Sequence, residues 1–217
     1  MKIESNSDMA NVFSDRILSC HYKQNTEGRK GWHRSDGIVC PLEGYWRITG
    51  LVKGEYRSKD TGIVLIGEIA HGFLERGFDA QEKVYLIEGI KVTVDALHGE
   101  FPVEAKTTRK QIYKREDIPT DWVEQLAIAI SVMDVDKGYL MIINIVSAAF
   151  LVFEFTMNKD ERELTRTAFL YQIKNIANAI DKKDPSLLKP RYSDCHWCHF
   201  RPSKENQNCP YYKKEED

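Results

Sequence analysis

The chain has 217 residues, of which 42% are hydrophobic and 29% are charged, and its formal net charge is −2. These values are ordinary for a soluble globular protein and exclude collagen, coiled coils and chains that are disordered throughout. The longest apolar stretch, residues 138–155, is interrupted by Asn144 and Ser147, so it predicts two buried strands rather than a membrane-spanning helix. The start of the chain shows no basic and apolar leader. We therefore expect a cytoplasmic protein that does not bind a membrane.

The first part of the chain, residues 1–62, is polar, aromatic and rich in glycine. It predicts a short helix over residues 11–20, followed by loops and short strands over residues 26–62. Apolar residues at helical spacing then predict a helix over residues 63–78.

Extended segments and helices alternate through the rest of the chain. The pattern predicts, in chain order, a strand over residues 83–95, a turn over 96–101, a second strand of the same hairpin over 102–107, a helix from Pro119 to about Met133, two near-continuous apolar strands over 139–146 and 149–157, and a long helix over 158–180. This order predicts an α/β fold in layers.

Two carboxylates and an amine fall together on the predicted hairpin. Glu104 and Lys106 are two residues apart on one strand and therefore project from the same face, while Asp95 ends the neighbouring strand. Two close carboxylates repel each other unless a cation lies between them, and a hard divalent ion prefers such oxygen ligands. The alternative is an ordinary cross-strand ion pair on a solvated face.

His71 lies on the predicted helix that precedes the hairpin, on the same side as Leu74 and Phe78. An inward histidine is more often a core residue than a metal ligand. Because a candidate metal site is next to it, we favour the ligand.

The end of the chain carries a Cys195-x2-Cys198-x10-Cys209 pattern, which is typical of metal binding. A tetrahedral site or a cubane cluster needs a fourth ligand. The candidates are Cys20, which would join the two ends of the chain, Cys40, which is followed by a proline as Cys209 is, and the local His196 and His199.

Basic and aromatic residues are interleaved in the first part of the chain, and four basic residues follow the hairpin. Together they predict a groove that binds a nucleic-acid strand through phosphate contacts and base stacking. They are Tyr22, Lys23, Arg29, Lys30, Trp32, His33, Arg34, Tyr45, Trp46, Arg47, Lys53, Tyr56 and Arg57 in the first part of the chain, and Arg109, Lys110, Lys114 and Arg115 after the hairpin. An ordinary, partly packed surface is the alternative.

Taken together, these constellations resemble the RecB-like nucleases of the PD-(D/E)xK superfamily, and more narrowly the CRISPR-associated exonuclease family that carries an iron–sulfur cluster. The resemblance covers nearly the whole chain. It rests on Cys20 after a short Ser-containing helix, Gly67 to His71, Asp95, Glu104-Ala105-Lys106, Gln125, and the trio of Cys195, Cys198 and Cys209. The chain departs from the family pattern at Ala129, where the family has Tyr, in the long spacing before Cys209, and in the extra Cys40.

The resemblance implies a restriction-endonuclease-like fold, with a central mixed sheet flanked by helices. Residues 63–183 would form the nuclease core of a single domain spanning residues 1–217. Residues 1–62 and 184–217 would form a lobe that faces DNA and joins the two termini at an iron–sulfur cluster. The implied cluster is 4Fe–4S or 2Fe–2S, held by Cys20, Cys195, Cys198 and Cys209.

The implied activity is cleavage of DNA, chiefly single strands, with Mn2+ or Mg2+. His71, Asp95, Glu104 and the carbonyl of Ala105 would bind the ion, and Lys106 and Gln125 would act on the water and the phosphate. An imidazole ligand suits Mn2+ better than Mg2+. The family takes part in CRISPR spacer acquisition beside the integrase proteins, although related nucleases also occur outside CRISPR loci, and the oligomeric state is left open.

Two other functions are compatible with the sequence. One is a zinc-stabilised nucleic-acid-binding module without catalysis, in which Asp95, Glu104 and Lys106 are surface charges. The other is a non-catalytic assembly subunit of the spacer-acquisition machinery, which Ala129 favours because the motif hydroxyl is missing.

Overall fold

The computed structural model describes residues 32–51, 67, 83–147, 149–191, 198 and 209–210. Within these residues the protein is α/β, with a mixed sheet flanked by helices. Its helices are α1 (Pro41–Thr49), α2 (Thr120–Met133) and α3 (Lys159–Asp181), and its strands are β1 (Lys83–Ile87), β2 (Ile90–Val94), β3 (Ala96–His98), β4 (Phe101–Thr108), β5 (Lys137–Asn144) and β6 (Phe150–Thr156). None of these helices combines the length and the apolar character that crossing a membrane requires.

Within residues 32–51, a 3-10 turn, Arg34–Gly37, and helix α1 stand where loops and short strands were predicted, so the prediction is wrong for these residues. The rest of the predicted range 26–62 lies outside the described residues. Pro41 occupies the first turn of α1, and Gly50 ends the helix with a left-handed φ of 62°. Leu42, Tyr45 and Trp46 share one buried face of α1 at helical spacing. The helical spacing of these residues is hard to recognise in the sequence, because α1 is short and the segment is rich in aromatic residues and glycine.

The strand predicted over residues 83–95 is in fact two strands. β1 and β2 pair as an antiparallel hairpin around a two-residue loop, with Ile87 opposite Ile90. Glu88 and Gly89 in the loop have φ values of 47° and 79°, the conformation of a tight hairpin turn that glycine favours. The turn predicted over 96–101 is narrower than expected, because β3 and β4 flank a loop at Gly99 and Glu100.

The main sheet has the strand order β3-β4-β5-β6. β4 and β5 are parallel, with Glu104 opposite Leu140, whereas the other two pairs are antiparallel. Helix α2 connects β4 to β5, as a parallel pair requires. A Cβ on Gly138 of β5 would lie 2.9 Å from side-chain atoms of Leu126 and Ile130, so glycine permits α2 to approach the sheet closely.

Helix α2 lies between the sheet and α3. Its Leu126 and Ile130 pack with Leu140 and Ile142 of β5, and its Ile128 packs with Phe169 and Ile173 of α3 and with the β1–β2 hairpin. α3 begins at a capping box, in which the Asn158 side chain accepts a hydrogen bond from the Glu161 N–H and the Glu161 carboxylate accepts one from the Asn158 N–H. The far half of α3 packs against α1.

The predicted helix at 119–133, the two later strands and the final helix are confirmed, with ends that differ by up to a few residues. The expectation that both of these strands are covered on both faces is wrong for β6, because β6 is an edge strand whose Phe150 and Val152 are 58% and 53% exposed. The helix predicted over 63–78 lies outside the described residues, except for Gly67, which is helical.

Candidate functional site

The candidate site lies where the β1–β2 hairpin passes into the main sheet. Asp95 is the single residue between β2 and β3, and Glu104 and Lys106 are alternate residues of β4. Because Ala96 pairs with Val103, the next step along the register brings Asp95 beside Glu104. The Asp95 side chain is held there, since its Oδ2 accepts a hydrogen bond of 2.9 Å from the backbone N–H of Ala105.

Glu104 is 1% exposed and has a cation on each side. Lys106 Nζ donates to Glu104 Oε1 at 2.6 Å. Arg34 binds the same carboxylate with two nitrogens, at 2.8 Å to Oε2 and 3.2 Å to Oε1. Such two-pronged pairing fixes the plane of the carboxylate as well as its position.

Helix α2 supplies a further polar residue to the site. Gln125 Oε1 accepts a hydrogen bond of 2.6 Å from Lys106 Nζ. The backbone carbonyl of Gln125 accepts one from Arg34 at 3.3 Å. Lys106 is therefore held between Glu104 and Gln125, with its ammonium group directed along the face of β4 that α2 covers.

The two carboxyl groups of the site have opposite pKa shifts. Burial raises the pKa of Asp95, and the negative charge of Glu104 raises it further, against the lowering effects of Lys106, the Ala105 N–H and Arg34. Burial also acts to raise the pKa of Glu104, but the charges and hydrogen bonds of Arg34 and Lys106 outweigh it, so that the pKa of Glu104 is lowered. The negative charge of Glu104 is thus compensated by Arg34 and Lys106, whereas Asp95 is a buried acid beside another acid.

This donor set fits a divalent cation. Asp95 and Glu104 offer hard carboxylate oxygens from neighbouring positions, as Mg2+ and Mn2+ prefer. A cation between them would relieve the repulsion that raises the pKa of Asp95. Among the described residues, no group of three or more His, Cys, Asp and Glu side chains could hold a metal ion. The third predicted side-chain ligand, His71, lies outside the described residues.

Arg34 was predicted to line the DNA groove, but the structure places it on Glu104 in the candidate site. It comes from the 3-10 turn, 70 residues before its partner Glu104. No local pattern connects two residues so far apart, and the only available signal was that a buried glutamate needs a cation.

The predicted groove residues that the structure describes have different environments, and those at 22–30 and 53–57 lie outside the described residues. Tyr45 and Trp46 are 1% and 7% exposed and belong to the core, so the prediction that they line a groove is wrong. Arg109, Lys110, Lys114 and Arg115, which follow β4, are exposed. Their charges are therefore open to a polyanion beside the end of the strand that carries Glu104 and Lys106.

Ala129, at the position of the family tyrosine, lies one turn after Gln125 on α2. It is completely buried and packs with Val94 and Leu97. The described structure therefore directs this position into the core, under the chain segment that carries Asp95.

Two cysteines of the chain are associated with one apolar cluster away from this site. Cys40, which is 6% exposed, belongs to the apolar cluster between α1 and α3, and Cys198 packs against the same cluster. Cys40 Sγ accepts a hydrogen bond of 3.3 Å from the N–H of Arg191, four residues before Cys195 in the sequence. Cys209 is half-buried, and Cys20 and Cys195 lie outside the described residues.

No protein-family model and no curated protein matches the chain. Among solved structures, the crystal structure of SSO0001 is similar to it, with a TM-score of 0.56 and 18% sequence identity. The similarity covers 87% of this chain and 94% of that chain. At this identity the similarity shows the fold alone, an α/β arrangement with a mixed sheet flanked by helices.

Proposed function

We propose that this protein is a metal-dependent DNA nuclease of the PD-(D/E)xK type. The observation that carries the proposal is the meeting of Asp95, Glu104 and Lys106 in one buried place, with Gln125 in contact with the lysine. A carboxylate pair beside a fixed ammonium group combines cation ligands with a donor for a phosphate oxygen. Phosphodiester hydrolysis needs both.

The roles of the acidic residues follow from their environment. Asp95 and Glu104, with the carbonyl of Ala105 and the predicted ligand His71, would hold a Mn2+ or Mg2+ ion. A divalent cation, when bound there, polarises the phosphate and lowers the pKa of a water molecule. The hydrogen bond from the Ala105 N–H to Asp95 fixes that carboxylate before any ion arrives, so binding requires little ordering.

Lys106 and Gln125 act on the phosphate side of the site. Lys106 carries a positive charge at a fixed position and can donate to a phosphate oxygen as negative charge accumulates on it. Gln125 Oε1 orients the ammonium group by accepting one of its protons. Ala129 offers no hydroxyl, so positioning of the phosphate falls to these two residues and to the exposed basic residues 109–115.

The substrate we propose is DNA, chiefly as a single strand. Exposed Arg109, Lys110, Lys114 and Arg115 continue from β4 and provide charges for the phosphates. A role in CRISPR spacer acquisition or other DNA processing, beside integrase proteins, is the context that the family resemblance suggests.

The nuclease function is tested with a single-stranded oligonucleotide and Mn2+. We expect cleavage by the unmodified protein and loss of cleavage in Lys106→Met and Asp95→Ala. Lys137→Met is the matched control, because Lys137 is also a strand lysine paired with a glutamate, Glu154, but at the surface. Absence of cleavage by the unmodified protein, or cleavage retained in Lys106→Met, would refute the proposal.

We also propose an iron–sulfur cluster held by Cys195, Cys198, Cys209 and a fourth thiol from the first part of the chain. The family resemblance implies Cys20, whereas the sequence itself leaves Cys20, Cys40, His196 and His199 open. The packing of Cys198 on the cluster that contains Cys40, and the N–H donated to Cys40 Sγ, favour Cys40 as this fourth thiol. Backbone N–H donors to sulfur are common around such clusters.

Anaerobic purification with an iron count and a visible spectrum tests the cluster. We expect Cys40→Ser to lose colour and iron, and Cys20→Ser to retain both. The reverse result would restore Cys20 as the ligand. Zinc in a colourless protein would instead support a nucleic-acid-binding module.

One observation favours a function without catalysis. Asp95, Glu104, Lys106 and Arg34 carry two negative and two positive formal charges, as a purely structural network of ion pairs would. Under that alternative the protein would be an assembly subunit, would bind no divalent cation at Asp95, and would not cleave DNA. Measurement of Mn2+ binding separates the two functions.

A further inference from the structure

The role of Arg34 is not explained by the proposed chemistry. It occupies both oxygens of Glu104, at 2.8 and 3.2 Å, and lies 12% exposed beside a carboxylate that Lys106 already neutralises. Arg34 thus adds a second positive charge to a carboxylate that already has one.

Arg34 is held in place by its own segment. The Asp36 side chain accepts a hydrogen bond of 2.9 Å from the His33 N–H and so closes the 3-10 turn that presents Arg34. Gly37 at the end of this turn touches α3, where a Cβ would lie 2.4 Å from the ring of Phe169. Helix α3 thus fixes the backbone of the turn that presents Arg34.

A divalent cation and Arg34 compete for the same carboxylate. With Arg34 and Lys106 in place, the charges of the site already sum to zero, so an added ion would bring two surplus positive charges next to a guanidinium group. Like charges at such short separations repel strongly when they are shielded from water. Oε1 of Glu104 accepts hydrogen bonds from Arg34 and Lys106, and Oε2 accepts one from Arg34, so an ion that approaches Glu104 meets Arg34 at both oxygens.

We infer that Arg34 is the exchangeable counter-ion of Glu104, which leaves the carboxylate when a divalent cation binds and thereby limits cation affinity. The inference rests on the proposed function, because it takes Asp95 and Glu104 as cation ligands. Lys106 stays, since Gln125 holds it from the other side. Arg34 is thus a positioning residue that acts on the cation through Glu104.

The experiment compares Mn2+ affinities, measured by electron paramagnetic resonance without DNA. We expect Arg34→Gln to bind Mn2+ at least about tenfold more tightly than the unmodified protein, because a competing cation is removed. Arg34→Lys, which keeps the charge but not the two-pronged contact, should lie between them and also serves if Arg34→Gln does not fold. Arg47→Gln is the matched control, since Arg47 also pairs with a buried glutamate, Glu43, and it should leave Mn2+ affinity unchanged.

The double variant Arg34→Gln/Asp95→Asn tests whether the Mn2+ ion that is measured binds at Asp95. Loss of the tighter binding in this variant supports the inference, whereas its retention would place the ion elsewhere and overturn the inference. Mn2+ affinity in Arg34→Gln equal to or weaker than that of the unmodified protein would also overturn it. Tighter binding by Arg34→Gln without DNA cleavage by any variant would support the counter-ion role and refute the nuclease function, whereas Mn2+ binding by neither protein would refute both.

Discussion

Two buried glutamates, Glu104 on β4 and Glu43 on α1, are both paired with arginine but are built differently. Glu43 is 5% exposed and pairs with Arg47, four residues later on the same helix. Glu104 is 1% exposed and receives Arg34 from a distant turn and Lys106 from its own strand. Glu104 also has a second buried acid, Asp95, close enough for the two charges to interact.

The two arrangements indicate different roles for Glu43 and Glu104. The pair on α1 forms wherever the helix forms, because residues four apart face each other. The network on β4 requires three separate parts of the chain to meet around two acids, and burying two acids together costs free energy that apolar residues would not. Such an arrangement of two buried acids is typical of functional sites.

The largest expected difference between the two regions is in DNA cleavage. Glu104→Gln removes the charge of the proposed cation ligand but keeps the shape of the side chain, so we expect cleavage to fall by more than about a hundredfold, the upper range for changes even in outer-shell partners of a metal. Glu43→Gln should leave the rate unchanged. The check is the rate of oligonucleotide cleavage at saturating Mn2+. Equal rates in the two variants would remove the distinction between the regions.

The next effect is on stability in the absence of metal. Glu104→Gln leaves Arg34 and Lys106 without their carboxylate in a buried place, which costs about 3 kcal/mol or more. Glu43→Gln keeps an oxygen that can accept from Arg47, and we expect a cost of about 1 kcal/mol. Urea unfolding with EDTA measures both free energies of unfolding. A Glu104→Gln protein as stable as Glu43→Gln would show that the network contributes no more than a helical pair.

The smallest expected effect on stability is a gain rather than a loss. Because burial raises the pKa of Asp95 above its ordinary value of 3.8, ionisation of Asp95 weakens the folded state as pH rises through the range from 3.8 to the raised pKa. Asp95→Asn removes this penalty and keeps an oxygen for the Ala105 N–H. We therefore expect the metal-free variant to be more stable than the unmodified protein at pH 7, with the gain disappearing in acid.

Asp184→Asn provides the control of opposite sign. Hydrogen bonds from Ser186 lower the pKa of Asp184, so its charge stabilises the fold above its ordinary pKa, and that contribution is lost as pH falls. Asp184→Asn should therefore be less stable at pH 7. An Asp95→Asn protein that is less stable than the unmodified one at pH 7 would mean that the Asp95 charge is already compensated.

The parts of the site that follow from local periodicity could be predicted from the sequence. Glu104 and Lys106 share a face because alternate strand residues do, and Asp95 reaches them because the chain reverses at Gly99. Gln125 was predicted as a site residue from its position in the family motif. The structure brings its side chain into contact with Lys106, a contact that the motif does not specify.

The parts that depend on distant contacts could not be predicted. Arg34 reaches Glu104 only because α3 fixes the turn before α1, an arrangement that no spacing in the sequence encodes. The β1–β2 turn was missed because Glu88 interrupts a run of strand-forming residues without a second glycine to mark it. The sequence offered Cys40 only as one of several candidates for the fourth cluster ligand. Its place in the apolar cluster that Cys198 contacts depends on how α1 packs.

The central claim is that Asp95 and Glu104 share one divalent cation within reach of Lys106. Anomalous diffraction from crystals soaked in Mn2+ tests it most directly, since the signal identifies the ion without any assay of activity. We predict a Mn2+ peak in contact with both carboxylates, accompanied by movement of the Arg34 guanidinium group away from Glu104. Bound Mn2+ found only at other places, with the Arg34–Glu104 pair intact, would contradict the claim.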